Sequence, residues 1–401
     1  MSKLVLSKCM GRIQESPTLA ITAKALKLKS EGKDIIGLAA GEPDFDTPDF
    51  IKNAAIEAIQ AGFTKYTAAT GTPSLKKAIV TKFKRENNLL YDTSEVIVGT
   101  GGKQCIFNLC LATLDHGDEV IIPAPYWVSY TDIAELTGAK SIVVACGIEQ
   151  EFKMLPSQLE DSISKNTKLV LINSPSNPTG SVYSKEELKA LAQVLLNHPN
   201  ILIGTDDIYE KINLNGEPFY NIVMVEPRLK DRTIILSGVS KAYSMTGWRI
   251  GYAAGPSSII KGMGILQSQS TSNPTSISQV AAEAALNSDQ SCIKPMVKAF
   301  KERHQFVVNA FNDIEGIKCI DAKGAFYSFP YAQEAINKLF ADGKLKENND
   351  IAFSDYLLET KGVAVVPGTA FGAANYFRIS FATSLDNLKK ALKRIKEAIE
   401  D

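Results

Sequence analysis

A chain of 401 residues exceeds one compact core of ordinary size and suits two domains, or one large domain with an appendage. With 45% hydrophobic and 22% charged residues it has the composition of a soluble globular protein, which excludes disordered, collagen-like and membrane-embedded classes. Lysine plus arginine and aspartate plus glutamate both number 44, so no net field holds nucleic acid or an anionic membrane, and any anion recognition has to be local.

Six cysteines (Cys9, Cys105, Cys110, Cys146, Cys292, Cys319) form no CxxC pair and are too sparse for a disulfide framework, so reduced thiols are expected. In residues 1–11, Lys3 and Lys8 break the apolar text and leave no signal-peptide core. No later stretch reaches the roughly 18 unbroken apolar residues of a membrane-spanning helix. The expectation is a cytoplasmic protein without membrane or nucleic-acid partners.

In chain order, 51–61 and 73–86 have the spacing of amphipathic helices. From Glu95 onward, short β-branched runs alternate with turn clusters and helical stretches, the pattern of an α/β domain. The runs are 95–98, 119–122, 141–145, 168–172, 201–204, 233–236 and 250–253, which predicts seven strands in a central sheet. Between them, 184–196 reads as a helix opened by Ser184, with Glu187 three residues on as its capping-box partner. Residues 295–314 read as one long helix. The last hundred residues hold fewer, shorter strands and end in the amphipathic stretch 384–399, which predicts a smaller α+β domain.

The chemically distinctive residues directly follow the predicted strands, where an open α/β sheet binds its ligands. After the first run comes Gly99-Thr100-Gly101-Gly102-Lys103 and then a helix through Leu111. Glycines let backbone N–H groups approach an anion, and a helix start adds its positive dipole end, so the segment suits a phosphate cradle or a plain tight turn. Ile97 and Gln104 exclude a Walker A loop, and Gln104 also excludes the dinucleotide fingerprint. Pro123-Ala124-Pro125-Tyr126-Trp127 brings one of two tryptophans to the same edge, either to stack on an aromatic ligand or to fill the core. Asn173-Ser174-Pro175-Ser176-Asn177-Pro178-Thr179-Gly180 is in isolation a turn that holds an amide outward.

Asp206 and Asp207 follow the fifth run and need a cationic partner if the site is closed. His116, His198 and His304, the only histidines, stand apart from these acids, which argues against a metal site and against a Ser/His/Asp or Cys/His nucleophile. In Ser237-Gly238-Val239-Ser240-Lys241-Ala242-Tyr243-Ser244-Met245-Thr246-Gly247-Trp248-Arg249-Ile250-Gly251, a lysine just past a strand precedes by eight residues an arginine just before the next. That arrangement suits an imine-forming amine beside an anion clamp.

Residues 238–251 resemble the cofactor-attachment signature of class I aminotransferases. The resemblance continues through Gly41-Glu42-Pro43-Asp44-Phe45, Thr64-Lys65-Tyr66, Gly101 to Lys103, Pro125 to Tyr130, the Asn173 loop, Asp206 to Tyr209 and Arg378-Ile379-Ser380. It covers nearly the whole chain and is strongest to the bacterial aspartate aminotransferase subgroup, some members of which also accept prephenate. It implies the fold-type I architecture of pyridoxal-phosphate-dependent transferases, with a large domain over 48–300 and a small one from 1–47 and 301–401. It also implies a homodimer with composite sites.

By that similarity Lys241 would carry pyridoxal 5'-phosphate as a Schiff base and serve as the proton-shuttling base. Asp206 would pair with the pyridine nitrogen, Tyr209 and Asn177 would bond the phenolic oxygen, and Trp127 would stack on the ring. Gly101, Gly102, Lys103, Ser240 and Arg249 would hold the phosphate side, with Tyr66 reaching the partner's cofactor and the 268–273 loop close to the neighbouring site. Arg378 would grip the substrate α-carboxylate, although Arg-Ile-Ser alone reads as an ordinary strand, and Gly41, Lys103, Trp127 and Asn177 would complete the substrate site.

Two positions depart from the pattern. Gln14 and Glu15 stand where relatives have a basic residue and a proline, which places prephenate below aspartate as a substrate. Gly238 stands where distant members have a phosphate-binding serine, a role left to Ser237 or Ser240. The expected reaction is amino transfer from L-aspartate to 2-oxoglutarate. A β-lyase or decarboxylase would use the same scaffold and cofactor, whereas a cofactor-binding transcription regulator would need an appended DNA-binding domain.

Overall fold

Each of the seven β-branched runs becomes a strand of one sheet in the computed structural model, which describes residues 5–400. Residues 1–4, part of the stretch read for targeting and of the small-domain assignment, and residue 401 lie outside the described residues. A first short strand, β1 (Ile36–Gly37), precedes the sheet. The sheet then uses β2 (Val96–Gly99), β3 (Glu119–Ala124), β4 (Lys140–Ala145), β5 (Thr167–Asn173), β6 (Leu202–Asp206), β7 (Thr233–Gly238) and β8 (Gly251–Ala254). Its order is β2-β8-β7-β6-β5-β3-β4, with β8 antiparallel to both neighbours and the other pairs parallel.

These strands are nearly continuous runs of Val, Ile and Leu because both faces are covered, as parallel sheets require. Alternate residues enter two apolar clusters: Ile121, Val170, Ile172, Ile203 and Ile235 pack into one, Val120, Ile122, Leu169, Leu171, Ile234 and Leu236 into the other. Each such fully buried side chain contributes about 1.5–3 kcal/mol.

The connecting helices follow from their patterns. Lys185–Leu196 buries Leu188, Leu191, Ala192 and Leu195, one stripe at helical spacing, and opens on the predicted Ser184–Glu187 capping box. The helix expected over 73–86 is regular only over Pro73–Lys82, then widens into a π-type turn over Phe83–Asn87 and ends at Asn88 with φ +53°. The widened turn coincides with a buried charge cluster, in which Lys82 pairs with Glu210 and Glu86 and bonds to Asn87 at 2.9 Å. Periodicity carries no sign of such a cluster.

The remaining strands, β9 (Tyr327–Ser328), β10 (Val363–Ala364), β11 (Val366–Pro367) and β12 (Phe377–Ser380), make two small sheets. β1 pairs with β10 in parallel, joining the two ends of the chain, while β12 lies between β11 and β9, antiparallel to both. The long helix Lys294–Asn312 leads from the large sheet's side toward these strands, and the terminal helix Leu385–Glu400 buries Leu388, Ala391, Leu392, Ile395, Ala398 and Ile399. No described helix is long and apolar enough to cross a membrane.

Candidate active site

A cleft of about 270 Å³ opens at the carboxyl ends of the parallel strands, where the strand order turns back between β3 and β5. Three glycines stand at the strand ends behind its lining. Gly99, Gly251 and Gly238 stand side by side across β2, β8 and β7. A side chain at Gly251 would run into the backbone of Gly101 and Gly102 at the start of the helix Gly102–Thr113. A Cβ at Gly238 would lie 3.0 Å from the Gly251 Cα and the Ile250 carbonyl oxygen, which gives the departure from serine at that position a steric reason.

Lys241 follows β7, and its Nζ donates to the Gly41 carbonyl at 2.6 Å. Withdrawal from water, then repulsion from Arg249 and Arg378, lowers its pKa to about 8. Asp206 ends β6, 8% exposed, and burial raises its pKa to about 6. Its oxygens accept from the Tyr130 hydroxyl at 2.6 Å and the Ile208 N–H at 3.2 Å. Both donors are neutral, so a buried carboxylate here still calls for a cation. The neighbouring Asp207 turns away from the cleft and accepts from Thr205 and Asn221, both at 2.7 Å.

Asn173 locks the loop after β5 in place. Its amide donates to the Asp206 carbonyl at 2.8 Å, and its own oxygen accepts the Asn177 N–H at 2.9 Å. Asn177 in turn accepts from Arg378 at 2.8 Å, and the second terminal nitrogen of Arg378 donates to the Ala39 carbonyl at 2.6 Å. Arg378 is 2% exposed, yet its Nε has no hydrogen-bond partner. Its guanidinium lies 4.6 Å from the Tyr327 ring, and the Tyr327 hydroxyl meets that of Tyr209 at 2.8 Å.

Arg249 takes a left-handed backbone, φ +56°, and its Nη1 donates to the Thr246 carbonyl at 2.8 Å. Gly101, with φ +81°, leaves room for that guanidinium, which a Cβ would strike. Cation and helix start therefore stand together, as an anion site requires. The Lys103 ammonium lies 4.9 Å from the Trp127 ring, with its pKa lowered first by burial and then by Arg249. Trp127 meets Tyr130 edge to face at 5.4 Å.

Of the residues singled out from the sequence, Lys241, Asp206, Tyr209, Gly41, Gly102, Lys103, Trp127, Asn177, Ser240, Arg249 and Arg378 line this one cleft. Gly101 supports it from behind without lining it, and Tyr66, 91% exposed, stands outside it. Gln14 is exposed and also outside, but Ser16, Thr18 and Leu19 just beyond it form part of the wall, which the reading of Gln14 missed. Tyr130, Asn173 and Tyr327 were missed as well. Tyr130 and Asn173 fell inside motifs already quoted, whereas nothing in the short strand text around Tyr327 marks it.

A crevice at a strand-order switch, holding a depressed lysine, a buried acid and two separate arginine clamps, belongs to an α/β enzyme that works on small anionic ligands. The family model for aminotransferase class I and II matches residues 33–395, and the chain belongs to that family and is an aminotransferase. The aspartate/prephenate aminotransferase of Nitrosomonas europaea is 60% identical over 390 residues, covering 97% of this chain and 98% of that one. Among solved structures, the aspartate aminotransferase of Rhizobium meliloti superposes with a TM-score of 0.94 at 47% identity, covering 99% of each chain. That of Thermus thermophilus with maleate has a TM-score of 0.92 at 39% identity, covering 99% of this chain and all of the other. The fold is theirs, built on a seven-stranded, mostly parallel sheet.

Proposed function

We propose that the protein transfers the amino group of L-aspartate to 2-oxoglutarate, giving oxaloacetate and L-glutamate, with pyridoxal 5'-phosphate as its cofactor. The names of the similar proteins support the substrate, and the cleft supports the cofactor. One observation carries the reading: a lysine amine with its pKa near 8 shares a cleft with a buried carboxylate whose direct donors are neutral, between two arginines that both act on that lysine. The residues fit the group. Asp206 suits a protonated pyridine nitrogen, Trp127 offers a ring face, and Arg249 at the start of the helix Gly102–Thr113 suits a phosphate. The unpartnered Nε of Arg378 leaves a donor for a carboxylate.

When bound, pyridoxal phosphate supplies an aldehyde for an amine to condense with and an electron sink for the substrate Cα. Lys241 Nζ would be the base that moves the proton at the substrate Cα. Its lowered pKa makes the neutral amine available near neutral pH. Asp206 would pair with the protonated ring nitrogen, and Tyr209 with Asn177 would hydrogen-bond the phenolic oxygen. Arg378 orients the α-carboxylate, while Lys103 takes the distal one. Ser240, which lines the cleft, would supply the phosphate-side hydroxyl. The exposed Tyr66 belongs to the partner's site in a homodimer, and Ile56, Ile59 and Phe63, exposed on or just after one helix, suit coverage by a second copy. The large domain spans 48–300, the small one 1–47 and 301–401, and the protein works in the cytoplasm. Prephenate ranks below aspartate, because Gln14 stands where relatives have a basic residue.

The test is the absorption spectrum of the purified protein. A visible band that L-aspartate shifts to shorter wavelength, with one oxaloacetate per site released by aspartate alone and continued turnover only when 2-oxoglutarate is present, is the expected result. A protein without the band, or one that converts L-aspartate to alanine and CO2, or to ammonia and fumarate, without an acceptor, refutes the reading.

A further inference from the structure

Tyr327 stands where three working groups meet, and no motif drew attention to it. It lies on β9 opposite Ser380 of β12, two residues from Arg378 on the same strand face, and is 1% exposed. Its ring lies 4.6 Å from the Arg378 guanidinium, and its hydroxyl is 2.8 Å from that of Tyr209. A Cβ at Gly41 would stand 2.7 Å from the same hydroxyl, so the glycine admits it, and the Gly41 carbonyl holds the Lys241 amine at 2.6 Å.

A hydrogen bond between two hydroxyls uses one proton, and its direction depends on what else each faces. If Tyr209 donates to the phenolic oxygen of the cofactor, its own oxygen is left as an acceptor and Tyr327 has to be the donor. Accepting that bond makes Tyr209 the stronger donor. On the Arg378 side, an aromatic face under a buried guanidinium holds it flat and balances its charge. We propose that Tyr327 is a positioning residue for transamination: its hydroxyl aims the proton of Tyr209, and its ring is the platform on which Arg378 waits for a carboxylate. The hydroxyl half rests on the cofactor reading above, whereas the platform half does not.

The experiment compares the purified, cofactor-loaded parent with Tyr327→Phe, Tyr327→Met, Tyr209→Phe and the Tyr209→Phe/Tyr327→Phe double variant. The readouts are the pH titration of the visible band, calorimetric binding of maleate, a dicarboxylate without an amino group, and kcat against KM. Tyr327→Phe keeps the ring, so it should raise the apparent pKa of the band by about 0.5–1 unit, because a weaker Tyr209 donor favours the protonated form. Maleate affinity, measured below that titration, should stay within about twofold and kcat should fall more than KM rises. In the Tyr209→Phe background the same change should add no shift. Tyr327→Met removes the platform and should weaken maleate about tenfold.

A Tyr327→Phe titration that is unchanged or moves down, or a shift that persists in the Tyr209→Phe background, overturns the hydroxyl role. Parent-like maleate binding by a folded Tyr327→Met protein overturns the platform role. The isosteric phenylalanine decides the first half whether or not the methionine variant folds. A parent without any visible band refutes the cofactor reading and the hydroxyl role with it, while the maleate comparison still decides the platform.

Discussion

At the scale of residues, two titratable groups are set against each other by their surroundings. Asp206 is an acid raised to about 6 and Lys241 an amine lowered to about 8, each chiefly by loss of water. The folded pKa of Asp206 lies above its unfolded value, so its charge destabilises the cofactor-free fold at neutral pH, and that cost is relieved as pH falls from about 6 toward 4. Denaturant unfolding of the cofactor-free protein should therefore find Asp206→Asn more stable than the parent by about 1–3 kcal/mol at pH 7.5, with the gap closing near pH 4. Turnover of the same variant should drop at least about 100-fold. For Lys241, only the neutral amine attacks an aldehyde. Stopped-flow uptake of pyridoxal phosphate should thus accelerate about tenfold from pH 6 to 7, about fivefold from 7 to 8, and then level off. A flat profile across that range would remove Lys241 as the attacking group.

At the scale of elements, the site depends on where strands stop and how closely a helix start approaches them. The β-branched runs announced all seven strands of the sheet, because a strand buried on both faces needs apolar side chains at nearly every position. The capping box at Ser184 was equally legible, being a local contact between residues three apart. The widening after Lys82 was not, since it accompanies ion pairs to Glu210, far along the chain. Two substitutions separate the local from the site-building role. Ser184→Ala removes one cap and should cost about 1 kcal/mol in urea unfolding with unchanged kcat/KM. Gly251→Ala pushes against the Gly101–Gly102 backbone and should weaken pyridoxal phosphate binding at least about tenfold, measured by fluorescence titration of the cofactor-free protein.

For the whole molecule, the residues lining the cleft come from both chain ends as well as from the large sheet. Gly41 precedes that sheet and Arg378 follows it, yet both reach the cleft because β1 pairs with β10 and β12 lies beside β11 and β9. Tyr66 serves no group in its own chain's cleft, which makes assembly testable by complementation. Tyr66→Ala and Lys241→Ala proteins, each impaired alone, should on mixing through mild denaturation form hybrid dimers with one intact site each, recovering about a quarter of parental activity. No recovery, with hybrids shown by mass spectrometry, would return Tyr66 to its own subunit.

The sequence by itself determined the strands of the large sheet, the α/β class and the cluster of candidate residues at the strand ends. These depend on side-chain periodicity, turn chemistry and motifs written within about fifteen residues of one another. Only the tertiary structure decided that Asp206 faces the cleft while Asp207 faces the core, and that Arg378 rests on Tyr327 and Asn177. It also decided that Ser16 and Thr18 close the wall. Those outcomes depend on contacts between segments far apart in the chain, where burial and hydrogen-bond partners are set by packing and leave no periodic trace.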